Sequence, residues 1–458
     1  MLPDSVRRAI FWASDTVWGP WTMGLLFGTG LFLTIRLRFV QVVRFRDALR
    51  SLVPEAEKGA PGALSPFQAF MTALAATIGT GNIAGVATAV VSGGPGAVFW
   101  IWCYGFFATA VKFTEAVLGI RYRSLSKERL SAGPMHYLRD GMGLPRLGWL
   151  YALVAGVAAL TTTPFTQPNS MADVLRSQLG VPTWASGLAI AFLAWLVIIG
   201  GVRSIGRVAE KLSPLKVLLY LGGGLATIVV HRSHLPEVLA LILKEAFSVK
   251  GALGGTAGVG IMVAMRYGLA RGIYANEAGY GTAAVVYGTA RSDRPVQQGL
   301  NAVMEVFIVS FFTSTISALT VLVSGVWRSG ETGAALVAGA FGTAIPGGGY
   351  VVAFCVVLFG YTTLIGWSYY GEQFLEHIFG PRIIVPYRWT YCGLVVFGAV
   401  GKVDTIWAWG DLMNGLQVFP NLVGLIGLSG VVAAMLRGAE DKVGARAEAP
   451  GPSGRPGA

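Results

Sequence analysis

Charge is scarce in this chain of 458 residues. Asp, Glu, Lys and Arg supply 13% of it, against roughly 25% in an average globular domain. Cysteine is scarcer still. Cys103, Cys355 and Cys392 each lie inside an apolar run and form no CxxC pair, so reduced, structural thiols are expected and a disulfide framework is excluded. Of the four histidines, only His231 and His234 have a ligand-like spacing, and no Cys or acidic cluster accompanies them. No resident metal or organic cofactor is expected. The chain also lacks a glycine-rich phosphate loop ending in Lys-Ser or Lys-Thr, paired carboxylates and a nucleophile elbow. Without them ATP-driven transport within the chain and hydrolytic catalysis have no residues to work with. No cleavable signal peptide is evident, since residues 1–10 are polar and charged.

What is abundant is apolar surface. Hydrophobic residues make up 54%, mean hydropathy is +0.61, and the apolar runs are long rather than alternating. That pattern predicts an all-α integral membrane protein, not a barrel. Eleven spans are expected, at about 17–37, 67–91, 96–119, 147–178, 183–201, 213–230, 252–289, 299–326, 347–370, 384–400 and 404–436. A polar, partly amphipathic stretch fills 232–250. The tail 437–458 is rich in Gly, Ala, Pro and charge and is expected to be disordered.

The net charge of +12 raises nucleic acid as a partner, but its distribution points to the bilayer. Lys and Arg crowd the alternate connections 36–66, 121–146, 202–216, 266–298, 379–388 and 437–458. By the positive-inside rule these face the cytoplasm, with the N-terminus outside and the C-terminus inside a multi-pass cell membrane protein. With the first span set aside, ten remain. Each half then opens with an unusually Gly-rich segment, 67–91 and 252–289. Five is odd, so the halves are inverted: first repeat 67–230, second repeat 252–436, one transmembrane domain over 1–436. Corresponding broken segments in inverted halves point to a secondary transporter's site.

The first of these segments carries Ala75-Ala76-Thr77-Ile78-Gly79-Thr80-Gly81-Asn82-Ile83-Ala84-Gly85. Gly79, Gly81 and Gly85 loosen the helix at mid-membrane, and Thr77, Thr80 and Asn82 add polar groups there. Such backbone is tolerated where it lines a cavity. Opening around Thr77 to Gly81 presents the N–H groups of Thr80 and Gly81 to a carboxylate. It also presents the carbonyls of Ala75, Thr77 and Ile78, with the Asn82 amide, to a small cation. The alternative is a plain small-residue helix contact through Gly81 and Gly85.

Other spans supply further candidates. Gln167, between Pro164 and Pro168, is the best side chain for substrate contact; interhelical hydrogen bonding by Gln167 and Asn169 is the alternative. Thr362 and Thr363 offer hydroxyls for sodium, and Trp367, on the Thr363 face, offers a pocket wall. Arg266 and Arg271 are expected to snorkel near the inner interface and Glu277 to pair with one of them, with ligand contact by these three as the alternative; Lys112 and Glu115, three residues apart, are expected to neutralise each other. In the seventh run, Gly251 to Gly260 is the expected unwound part.

The motif Ala-Thr-Ile-Gly-Thr-Gly-Asn-Ile-Ala-Gly-Val-Ala-Thr-Ala at 76–89 and Asn-Glu-Ala-Gly-Tyr-Gly at 276–281 resemble the alanine or glycine:cation symporter family. Lys-Phe-Thr-Glu-Ala at 112–116, Gly-Pro-Met-His-Tyr-Leu at 133–138 and Gly-Trp-Ser-Tyr-Tyr-Gly-Glu at 366–372 fit the same family. The resemblance covers about 15–436. It implies a leucine-transporter-type fold of two inverted five-helix repeats plus one extra N-terminal helix. It implies sodium-coupled symport of alanine or glycine, with Na+ as co-transported ion. Gly-Thr-Gly-Asn at 79–82 also resembles the Gly-x-Gly-Asn of the wider leucine-transporter-like group. That likeness places one cation near Asn82 and the Thr77 carbonyl, a second near Ala75, Ile78, Thr362 and Thr363, and the substrate carboxylate near Thr80 and Gly81. Phe-Thr-Gln-Pro-Asn-Ser at 165–170 departs from the family's usual Gly- and Met-containing stretch before Gln-Ala-Asn-Ser, which bears on pocket shape. A proton-coupled carrier and, further off, a membrane enzyme or a sensor that holds an amino acid without moving it remain the alternatives.

Overall fold

The computed structural model describes residues 3–52, 59–125, 130–248 and 259–438. These are almost all helical; a two-residue antiparallel pair, Ser124–Leu125 with Leu130–Ser131, is the exception among named elements. Among the described residues, six helices are long and apolar enough to cross a membrane, or up to eight if each of two bent pairs is one span. The other expected spans correspond to helices such as Pro20–Arg36 and Thr183–Ile198, which are shorter. Large apolar side chains stand bare on the outer faces, with Phe192 60%, Leu218 70% and Phe397 69% exposed. Lipid is the solvent that such a belt fits.

The first bent pair is the loosened segment itself: Pro66–Thr77 and Thr80–Gly93 meet at 62°. Its start is set locally. The Ser65 hydroxyl accepts from the Gln68 N–H and the Gln68 side chain accepts from the Ser65 N–H, with Pro66 in the first turn. This capping box satisfies two N-terminal donors and fixes where the helix begins. The second loosened segment also breaks, into Val259–Asn276 and Thr282–Gly288. The two segments run antiparallel. At one end the Arg291 N–H donates to the Leu64 carbonyl at 2.7 Å; at the other, a Cβ on Gly93 would stand 2.8 Å from Tyr267 Cβ.

The first half-helix, Pro66–Thr77, is clasped by the long helices Gly201–Val230 and Gly348–Phe379. Small residues allow the clasp: a Cβ on Gly366 would lie 2.8 Å from that of Ala76. A π-helical stretch, Ile308–Thr313, interrupts Pro295–Val323. It leaves the Ser310 hydroxyl donating to Asn276 Oδ1 at 2.8 Å, at the edge of the second break.

Several boundaries differ from expectation. The helix expected to start at 213 starts at Gly201 and carries Pro214 within it. The long 147–178 span is two helices, Pro145–Thr161 and Thr163–Leu179, with Pro164 in the first turn of the second. The last span bends by 52° between Thr405–Gly427 and Ser429–Leu436. Residues 4–10, part of the stretch read as merely polar, belong to a helix, Asp4–Val17, that packs on Val403–Gly427. Most of the glycine run expected to unwind, 251–258, and the tail from 439 lie outside the described residues. Within the described ones the second break falls at Glu277–Gly281.

Candidate functional site

At the first break the chain leaves helical geometry at Ile78 (ψ 87°) and Gly79 (φ −111°, ψ −167°), then makes a single 3-10 turn, Thr80–Asn82. A broken helix must place its orphaned groups elsewhere. The Gly79 N–H donates to Asn82 Oδ1 at 3.1 Å. The Thr80 N–H and hydroxyl both donate to Gln167 Oε1, at 3.2 and 3.0 Å. Gly79 and Gly81 are required by proximity: an added Cβ would meet Thr363 Oγ1 at 2.8 Å and Tyr274 Cδ1 at 2.7 Å, respectively.

The second break is held from outside itself. Glu277 takes a left-handed φ of 54°, and Gly279 and Gly281 have φ of 96° and 86°, a conformation glycine adopts without a steric penalty. The Gly279 and Gly281 N–H groups donate to Glu115 Oε1 at 2.9 and 3.1 Å, and Asn421 Nδ2 donates to the same oxygen at 2.8 Å. Glu277 accepts from Trp367 Nε1 at 2.7 Å and from the Thr282 hydroxyl at 3.1 Å.

Between the breaks lies a small cavity. Thr77, Gly79, Gly81, Gln167, Thr363 and Trp367 line it, as does Asn82, whose Nδ2 is buried without a hydrogen-bond partner. The structure therefore gathers the candidates from three separate spans. Thr80 borders it through Gln167. Asn169 turns away and donates to the carbonyls of Gly398 and Gly401. Glu277, Tyr274, Tyr280 and Asn414 also line it and were not singled out as contacts. The signal for Glu277 was present: a carboxylate at membrane depth is costly and usually functional.

Two lysines correct the pairings read from sequence. Lys112 does not neutralise Glu115. Its Nζ donates to Glu305 Oε1 at 2.6 Å, to the Thr77 hydroxyl at 2.9 Å and to the Asn276 carbonyl at 2.7 Å. The Thr77 hydroxyl also reaches Glu305 Oε1, at 2.6 Å. Glu277 pairs with neither arginine; Arg266 lies 3.7 Å from Asp15 instead. The second correction concerns the oxygens expected to hold a second cation. Lys216 Nζ donates to the Ala75 carbonyl at 3.1 Å, the Ile78 carbonyl at 2.6 Å and the Thr362 hydroxyl at 2.6 Å. Thr363, the fourth expected ligand, donates its own hydroxyl to the Ala75 carbonyl at 3.2 Å. Lys216 falls in the overlap of the expected span 213–230 with the basic connection 202–216, and its charge is counted with the connection. With the helix starting at Gly201, the residue lies about four turns in.

Two broken helices running antiparallel around a shared cavity point to a secondary transporter's site, and comparison with known proteins shows the family. The sequence profile of the sodium:alanine symporter family matches residues 4–450. The chain belongs to that family. It is a membrane transporter, not an enzyme. The sodium/alanine symporter AgcS of Methanococcus maripaludis is 38% identical over 428 residues, covering 91% of this chain and 94% of that protein. The probable sodium/glutamine symporter GlnT of Bacillus subtilis is 33% identical over 431 residues, covering 93% and 89%. Among solved structures, MhsT in complex with L-phenylalanine has a TM-score of 0.57 at 12% identity, covering 83% of this chain and 97% of that one. A manganese transporter of Eremococcus coleocola has a TM-score of 0.56 at 15% identity, covering 85% and 86%. At such identities the likeness speaks for the fold alone, which is leucine-transporter-type.

Proposed function

We propose that this protein is a secondary active symporter that couples sodium to uptake of a small neutral amino acid, alanine or glycine, by alternating access. The observation that carries the reading is the cavity between the two breaks. It is walled by Trp367 and Tyr280 and tightened where Gly79 and Gly81 meet Thr363 and Tyr274, which suits a small side chain. Gln167 Oε1, held by the Thr80 N–H and hydroxyl, marks the place of a substrate carboxylate, which would take over those donors. Glu277 faces the same space and suits the substrate ammonium. The coupling sodium is assigned to the Thr77 carbonyl and Asn82, beside that carboxylate. Thr77, Gly79, Thr80, Gly81, Gln167, Thr363 and Trp367 form the substrate contacts in this reading. The family membership and the names of the relatives support a sodium-coupled amino-acid carrier.

The same reading includes eleven membrane crossings in two inverted five-helix halves after one extra helix, and a cytoplasmic C-terminus. It rests on the antiparallel breaks and the loop charges. Counterflow tests the carrier itself: labelled alanine should accumulate transiently in proteoliposomes preloaded with unlabelled alanine. Entry no faster than into protein-free vesicles would rule out alanine transport. A proton-coupled carrier is the second reading, favoured by one observation: a fixed ammonium stands on part of the expected ion site. Uptake driven by a proton gradient in sodium-free medium would select it.

A further inference from the structure

We propose that the Lys216 ammonium is a tethered cation standing in for a second co-transported sodium ion, so that the carrier loads at most a single sodium with each substrate. The inference deepens the symport reading and rests on it. The ammonium has three protons and three oxygen acceptors at 2.6–3.1 Å. Two of these are carbonyls at the end of the half-helix Pro66–Thr77, where orphaned C=O groups and the helix dipole favour positive charge. Unwound carbonyls and half-helix C-termini are the ligands that transporters offer a sodium ion. No carboxylate among the described residues forms an ion pair with Lys216, although its residue exposure is 0%. Nζ also stands over the face of Phe359, 5.1 Å from the ring centroid, a further site for a cation. The charge is thus solvated by neutral oxygens and a ring, as a bound ion would be. It also arrives from a third helix. Lys216 sits on Gly201–Val230, anchored one turn earlier by the Ser213 hydroxyl donating to the Met71 carbonyl at 3.0 Å. One turn later the Tyr220 and Ser317 hydroxyls share a hydrogen bond of 2.7 Å, and Ser317 donates to the Asn82 carbonyl, also at 2.7 Å. The ammonium therefore remains with the protein when the substrate leaves, and its charge is not carried across.

Equilibrium binding of radioactive sodium to the purified full chain, with alanine present, counts the ions. The wild-type protein should bind no more than a single sodium per chain. Lys216→Ala should gain one, because the vacated oxygens are a cation site. Two sodium ions on the wild-type chain, or an unchanged count on a folded Lys216→Ala protein, would overturn the inference. Where the variant does not fold, the wild-type count decides alone. The two readings fail separately: sodium-independent uptake removes the coupling, whereas a wild-type count of two removes only the tethered cation.

Discussion

Lys112 and Lys216 are the same residue type, buried to 1% and 0% exposure, bonded to neighbouring positions of one helix break, yet accommodated in opposite ways. Lys112 meets a carboxylate. Glu305 is buried with it, and Tyr287 donates to the second carboxylate oxygen at 2.9 Å, so the pair is neutral and closed. Lys216 meets only neutral oxygens. A buried ion pair contributes little net stability but is costly to break. A charge held by carbonyls is the arrangement of a binding site. Burial alone therefore does not distinguish structure from function at membrane depth; the character of the partner does.

The sharpest test of that difference is to remove one partner from each. Glu305→Ala leaves Lys112 buried without its counter-charge, and should cost about 3–5 kcal/mol. The loss should appear as a lowered melting temperature that is the same in sodium and in choline buffer. Lys216→Ala takes the donor from the Ile78 carbonyl, at about 1–3 kcal/mol for each acceptor left unpaired, and should melt early in choline. Sodium should restore it, because an ion that binds the folded state stabilises it by mass action. Restoration of both variants, or of neither, would erase the distinction.

Smaller effects belong to the cavity. Trp367→Phe keeps the ring and loses the N–H that reaches Glu277. A hydrogen bond to a charged group contributes about 1.5–3 kcal/mol, so the substrate concentration for half-maximal uptake should rise about tenfold or more. Gln167→Ala removes the neutral acceptor of the Thr80 N–H and hydroxyl and should raise it by about two- to tenfold, with a lowered melting temperature because two buried donors lose their partner. Unaltered uptake curves would take these residues out of the site.

His136 shows a third accommodation, away from the spans. Burial, with help from His377 and Arg139 and against Asp140, pulls its pKa down to about 3. It escapes the cost of a buried charge by staying neutral. Because the unfolded value is about 6.5, the native state binds fewer protons between the two. Its contribution to stability is full above about pH 6.5 and is lost as pH falls from there towards 3. His136→Gln should flatten the acid side of a melting-temperature profile; an unchanged slope would contradict the assignment.

How much of this was legible in the sequence follows from range. The first break was, because Gly79, Gly81, Thr80 and Asn82 lie within a few residues and their chemistry is local. Gln167, Thr363 and Trp367 were legible as polar or bulky groups in apolar spans, which is itself anomalous. Lys112 was mispaired because the three-residue rule sees only its own helix, while Glu305 lies 193 residues on. Lys216 was hidden because it sits at the edge of the expected span 213–230, where its charge is counted with the basic connection 202–216 as a topology signal. Most of the glycine run where unwinding is expected, 251–258, lies outside the described residues; within them the second break falls at Glu277, Gly279 and Gly281. Glycine count marks where a helix is able to open. Where it does open depends on an outside partner for the freed N–H groups, here Glu115, and that partner is set by tertiary structure.

The most direct test of the account is alanine uptake by the reconstituted wild-type protein under an inward sodium gradient, compared with equal sodium on both sides. The account predicts transient accumulation above equilibrium with the gradient and simple equilibration without it. Equal uptake in the two conditions would contradict sodium coupling through the broken helices.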